Sequence, residues 1–139
     1  MSYTLYMAFI EWNDTLNTNI TEIDEQHRQI VALINALSEA VRNRAAESDM
    51  KALFEAIAKD TKAHFETEER LFRMHSYPER SAHAELHRQL ETQVESLSSK
   101  IRTGAMPVND SVLLFLRDWF ITHIEGSDRL FGFWIQSRK

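Results

Sequence analysis

Apolar and histidine positions recur along this chain at spacings of three and four, the pattern of helices that bury one face. The first stripe runs through Ile23, His27, Ile30, Ile34, Leu37 and Val41, predicting a helix over about Asn19–Arg44 with Asn19 and Thr21 as candidate caps. Ser48 and Asp49 are placed to cap a second helix with Leu53, Ile57, Thr61, His64, Glu68 and Leu71 inward. It should end near His75 and Ser76, because Tyr77 precedes Pro78 and the residue before a proline avoids helical geometry. Pro78 suits the first turn of a third helix, which carries His83, His87, Leu90, Val94, Leu97 and Ile101. After a break at Gly104 and Pro107, Asn109 or Asp110 opens a fourth helix striped by Val112, Leu116, Phe120, His123, Leu130 and Trp134. Long helices with short connections predict an all-α fold, an up-down-up-down antiparallel four-helix bundle. The bundle should occupy residues 19–137, behind an N-terminal arm over residues 1–18, within one domain spanning 1–139.

Composition narrows the chemistry. With 139 residues, 43% of them hydrophobic, the chain can bury one full core, and only 3 Gly and 2 Pro argue against a turn-rich β fold. The absence of Cys excludes disulfides, thiolate metal sites and thiol nucleophiles, leaving His, Asp and Glu as the strong metal ligands. A formal charge of -5 offers no basic footprint for nucleic acid or anionic lipid. Near the start, Tyr3, Thr4 and Tyr6 interrupt the apolar residues and Glu11 follows, which makes a poor signal peptide, and no stretch is long and apolar enough for membrane insertion. A cytoplasmic monomer is the expectation.

The histidines carry the functional signal. Five of the six fall on the inner stripes or within one residue of them. One such residue alone reads as a hydrogen-bonded core histidine. Several imidazoles and carboxylates in one apolar core are costly to bury unless they share a partner, and a metal is such a partner. His64 and Glu68 are spaced i,i+4, as are His83 and His87, so each pair shares a helix face. In an up-down bundle, His27, His64, Glu68, His83, His87 and His123 fall within a layer on the order of 10 Å thick. Asp128, five residues after His123, would point about 140° away from it on a regular helix. Either the two flank a wide site, or an extra residue is inserted as a π-type turn eased by Gly126; a solvated partner of Arg129 or Lys62 is the equal alternative for Asp128. His75 lies too far along the axis to join the layer and reads as a helix C-terminal residue favoured by the dipole. Trp12 reads as packing over the bundle.

Glu11-Trp12, Ile23-Asp24-Glu25-Gln26-His27, His64-x3-Glu68, Tyr77-Pro78 ahead of His83-x3-His87, and His123-x4-Asp128 together resemble the hemerythrins, in particular the single-domain bacterial form called bacteriohemerythrin. The resemblance spans about residues 11–134. It implies a non-haem di-iron centre: two iron ions, Fe2+ or Fe3+, with His83, His87 and His123 on one, His27 and His64 on the other, and Glu68 and Asp128 bridging them beside an oxo or hydroxo bridge. It also implies reversible O2 binding at the iron with fewer histidines, for oxygen storage, transport or delivery to an oxygen-consuming enzyme, and no catalysis. An O2 or redox sensor signalling to a partner, or a di-iron enzyme handling peroxide or nitric oxide, is the alternative. Five imidazoles with only two carboxylates donate less negative charge than the carboxylate-rich sites of ferritin-like bundles, which favours reversible binding over O–O cleavage.

Residues within a turn of these positions, Ile23, Ile30, Phe65, Leu86, Trp119, Phe120 and Ile124, are the expected dry O2 pocket, whose low polarity would retard water and proton entry. Gly126 is expected to leave extra space or a solvent path near the O2 site.

Overall fold

The computed structural model describes residues 8–138, so the arm's first seven residues, with Tyr3, Thr4 and Tyr6, and Lys139 lie outside the described residues. Four rods form the bundle: α1 (Thr21–Arg42), α2 (Glu47–Met74), α3 (Arg80–Arg102), and a fourth made of α4 (Asp110–His123) and α5 (Arg129–Ser137) joined by a π-helical segment at Ile124–Asp128. A single 3-10 turn, Asp14–Leu16, precedes them. Among the described residues there is no strand, and no helix is long and apolar enough to cross a membrane.

The helix starts depart from the sequence expectation. Neither Asn19 nor Thr21 caps α1: Thr21 is its first residue, and Asn19 takes a positive φ of 66°. The Asp24 carboxylate reaches back instead, accepting from the Thr18 amide and hydroxyl, both at 2.8 Å, and from the Asn19 amide at 3.1 Å. An anion in the first turn also suits the positive end of the helix dipole. Ser48 and Asp49 lie inside α2, which begins at Glu47 after Ala46 with no side-chain cap. Pro78 stands before α3 in the connecting turn. Asn109 does cap α4, accepting from the Val112 amide at 3.2 Å.

The helix ends use the left-handed region. At α2, Ser76 has φ 52° while the Tyr77 amide donates to Phe72 O at 2.9 Å and the Ser76 amide to Arg73 O at 3.3 Å, the two bonds of a Schellman motif. Its apolar clasp is Phe72 against Tyr77, ring centroids 5.4 Å apart. Arg44, φ 53°, closes α1 in the same way.

Two apolar clusters result. The larger contains Ile30, Ile34, Leu37, Phe54, Ile57, Phe65, Leu90, Leu116, Phe120 and Ile124; the smaller contains Ile23, Phe72, Tyr77 and Phe131. In place of Leu53 and Leu71, which are only partly buried, α2 puts Phe54, Phe65 and Phe72 fully inside. Leu130 is 61% exposed, contrary to the expected stripe, and Phe131 is buried in its stead. The π segment adds one residue to the turn, which moves the buried position from Leu130 on to Phe131, while Trp134 still packs at the edge of the smaller cluster.

The arm is fastened to the bundle by polar bonds and one close approach. Ile10 exchanges two hydrogen bonds with the Asn35 amide, 2.7 and 2.9 Å, while Trp12 packs over the core beneath Arg28 and donates to Asn17 at 2.9 Å. Gly132 of α5 lies directly under Thr18, where a Cβ would collide with the Thr18 carbonyl oxygen. We therefore expect Gly132→Ala to destabilise the fold by about 2 kcal/mol through overpacking against backbone. Gly126→Ala, with open space around it, should cost far less; urea unfolding of the two variants side by side is the check.

Candidate metal centre

Between the two apolar clusters lies a polar belt. His27 of α1, His64 and Glu68 of α2, His83 and His87 of α3, His123 of α4 and Asp128 of the π segment are all buried. The apolar clusters close it from both ends, because each rod alternates: Ile23, His27, Ile30 on α1 and Phe65, Glu68, Phe72 on α2. All seven side chains singled out from the sequence meet here, and His75 is exposed at the end of α2.

Asp128 is the hub. Its Oδ2 is 2.8 Å from His27 Nε2, and its Oδ1 is 2.9 Å from His83 Nε2 and 3.0 Å from His123 Nε2. The π turn brings it beneath His123, which decides between the two geometries left open by the spacing and excludes the solvated alternative. Glu68 Oε1 lies 3.0 Å from His64 Nε2 and 3.3 Å from His87 Nε2. His27 and His64 oppose their Nε2 atoms at 2.9 Å, and His83 and His123 oppose theirs at 3.2 Å.

These short distances do not form a satisfied hydrogen-bond network. Both oxygens of Glu68, both of Asp128, and His87 Nε2 are buried without an aligned hydrogen-bond partner. A fully buried carboxylate with two unused oxygens costs several kcal/mol unless something else takes its lone pairs. The donor atoms form two groups that could each hold a cation: Glu68, His83, His87, His123 and Asp128 in one, and His27, His64 and Asp128 in the other, each within 4.8 Å. Imidazole and carboxylate donors converging in this way fit a divalent or trivalent transition metal.

The outer face of the belt contains residues not anticipated from spacing. Gln26 Oε1 lies 2.7 Å from His64 Nδ1, and its amide nitrogen donates to Thr67 at 3.0 Å. Glu69 Oε2 lies 2.9 Å from His87 Nδ1 and also accepts from Arg88 at 2.6 Å. A proton held on Nδ1 by such an acceptor leaves the Nε2 lone pair aimed at the belt. Their sequence signal was adjacency, since each directly neighbours a belt residue, His27 or Glu68. Aromatic rings brace the imidazoles: Phe65 stacks on His87 at 3.8 Å, Trp119 on His123 at 5.2 Å, and Phe120 stands edge-on to His27 at 5.7 Å.

The expected pocket residues divide. Ile30, Phe65, Phe120 and Ile124 are buried in the larger cluster, and Ile23 is in the smaller one on the other side of the belt. Leu86 does not line a dry pocket: it is 41% exposed, because it neighbours the inward His87 on α3 and so points about 100° away. With partly buried Trp119, Leu86 lines an open cleft of about 600 Å³ between α3 and α4 that also reaches Gly126 and His123. Gly126 therefore opens beside His123, on the three-histidine side of the belt.

A four-helix bundle with a buried belt of imidazoles and carboxylates has the donor set of a metal-binding bundle. Residues 18–134 match the family described as the Hemerythrin HHE cation binding domain, and the chain belongs to that family. It is 30% identical over 128 residues to a bacteriohemerythrin of Stenotrophomonas maltophilia, covering 91% of this chain and 81% of that protein. It is also 30% identical over 129 residues to a bacteriohemerythrin of Methylococcus capsulatus, with 91% and 96% covered. A crystal structure of wild-type hemerythrin superposes with a TM-score of 0.85 at 28% identity, covering 90% of this chain and 96% of that one.

Without metal, charges in the belt set one another. Burial opposes a charge on His64, but Glu68 and Asp128 outweigh it and push its pKa up to about 10. His123 is raised too, its burial overcome chiefly by the Asp128 charge. Asp128 is held well below the ordinary carboxylate range: burial pushes it up, but the His123 charge and the close His123, His27 and His64 rings prevail. His64 thus contributes stability that is complete below its ordinary 6.5 and is lost as pH climbs to about 10, whereas Asp128 contributes stability that is lost as pH falls through the acid range. A cation binding here must displace the His64 proton. Zn2+ added to metal-free protein near neutral pH should release at least one proton per chain, read with an indicator dye in weak buffer, and its affinity should rise with pH toward 10. Affinity flat over that range would contradict the charge assignment.

Proposed function

We propose that this chain, as a single domain, holds two iron ions in the belt and binds O2 reversibly there, as a store, a carrier or a supplier to an oxygen-consuming enzyme. His83, His87 and His123 would hold one ion and His27 and His64 the other, with Glu68 and Asp128 shared. The observation that carries this is the pair of donor groups with Asp128 common to both, together with buried carboxylate oxygens that have no aligned hydrogen-bond partner. Iron, when bound, supplies the reversible electron exchange that O2 binding requires.

The chain's own residues do the rest. The group built on His27 and His64 has fewer donors than the other, which leaves room for an external ligand on that side. Phe120, edge-on to His27, and buried Ile30 and Ile124 keep water and protons away from it. Gln26, anchored on Thr67, holds His64 in orientation. The family's bacteriohemerythrins at 30% identity support the same reading.

Anaerobic reduction of iron-loaded protein followed by air should produce a visible absorption band at two irons per chain, which fades under vacuum. Rapid turnover of peroxide with a reductant, and no such band, would favour an enzyme instead. His123→Ala should abolish the band, and His75→Ala should leave it.

A Cβ at Gly126 meets no atom within 4 Å, and a leucine there would extend into the open cleft beside His123. If the cleft admits solvent to the centre, Gly126→Leu should slow autoxidation severalfold. An unchanged decay of the oxygenated form would show that water enters elsewhere.

A further inference from the structure

The two donor groups of the belt differ in what supports them from behind. Among the described residues, only two of the five belt imidazoles have the outer nitrogen held by another side chain. His87 Nδ1 is 2.9 Å from a carboxylate oxygen of Glu69, and His64 Nδ1 is 2.7 Å from the neutral amide oxygen of Gln26. His27 Nδ1 is buried with no partner. A carboxylate accepting the Nδ1 proton draws positive charge outward and makes Nε2 a stronger donor; an amide orients the ring but adds no charge. The support is fixed in each case. Gln26 is locked by its bond to Thr67, so its oxygen must face His64. Glu69 is mostly buried, and its single donor besides His87 is Arg88, which contacts the same oxygen at 2.6 Å.

The asymmetry falls between the groups. His87 belongs to the one with His83, His123, Glu68 and Asp128, and His64 to the one with His27 and Asp128. Resting on the two-ion reading above, we propose that Glu69 is a positioning residue that makes the His83, His87 and His123 position the tighter of the two, so that the centre loads in order, that position first and the His27 and His64 position second. Three imidazoles against two already tilt the affinities that way, and Glu69 widens the gap. Gln26 keeps the second position a weaker binder. Arg88 counteracts Glu69 by drawing on the oxygen that faces His87.

Zn2+ titration of the metal-free full chain, followed by calorimetry and by 15N-histidine NMR, tests this without any oxygen chemistry. Wild-type protein should show two steps, with the His83, His87 and His123 resonances moving in the first. Glu69→Gln keeps the shape and an acceptor oxygen but removes the charge. It should weaken the first step about tenfold or more, within the 10–100-fold range for such supporting groups, and leave the second unchanged. Arg88→Ala, on an exposed side chain, should tighten the first step severalfold, a direction that loss of structure cannot produce. Q26E should tighten the second step and close the gap. Two ions bound with the first step unmoved in Glu69→Gln, or both steps weakened alike, would overturn the ordered-loading proposal alone. Fewer than two ions per wild-type chain would overturn it together with the two-ion reading.

Discussion

One carboxylate has to sit where a regular helix would not put it. Asp128 touches histidines from three rods and is fully buried, yet at five residues beyond His123 a continuous α-helix would turn it away from the belt. The chain meets this constraint with the π turn at Ile124–Asp128, and the consequences spread. Beyond the turn the inward register shifts, so Phe131 instead of Leu130 plugs the small cluster. That register also sets Gly132 against Thr18, and Thr18 in turn is held by Asp24, one turn before His27 on α1. A single inserted residue thus links the polar centre, the apolar plug below it and the anchoring of the arm.

The belt divides the core, and that division has an energetic meaning. Helix stripes usually bury apolar side chains without interruption; here five imidazoles and two carboxylates interrupt them at one level in all four rods. In the metal-free protein this level is kept tolerable by protons, with His64 charged against Glu68 and Asp128. Breaking one member of such a set leaves a buried charge unpaired, which is more damaging than never having built the set. A cation replaces protons that only partly satisfy the oxygens, so folding and metal binding draw on the same atoms. The aromatic rings stacked on His87 and His123 resist rearrangement of those atoms when the occupant changes.

Much of this was legible in the sequence because helical periodicity and belt chemistry reinforce each other. The residues of the belt could be read from stripe position and spacing, since each is where an inward apolar side chain would otherwise stand. What escaped was whatever depends on a backbone choice that several sequences can make. Arg44 and Ser76 adopt left-handed φ values at helix ends where no glycine announces them. Asp24 bonds backwards to Thr18 and Asn19, so neither obvious cap is used. Leu130 was misplaced because periodicity cannot register one inserted residue, and Leu86 because nearness along the chain to His87 is not nearness in space. Glu69 adjoins Glu68 in sequence, but its partner is fixed only once α2 and α3 bring it to His87.

The composition of the belt bears on why binding would be reversible. Asp128 is common to both donor groups and Glu68 Oε1 lies between His64 and His87, so both carboxylate charges are within reach of either side, and the other donors are imidazoles, which would be neutral once they hold metal. Such a set stabilises highly oxidised metal less than one rich in carboxylates does, which disfavours cleavage of a bound O–O unit. The Glu69 carboxylate supplies extra donation behind the His87 side, the side that already has more donors, and the Gln26 amide supplies none behind His64. With two ions held as proposed, donation would be stronger at the position with less room for an outside ligand. On the proposed reading the position with room would be the poorer donor; Phe120 stands edge-on to its His27, and Ile30 and Ile124 are buried in the same apolar cluster as Phe120. On that reading the imbalance would favour release, because a site strongly committed to the oxidised state would not let O2 go.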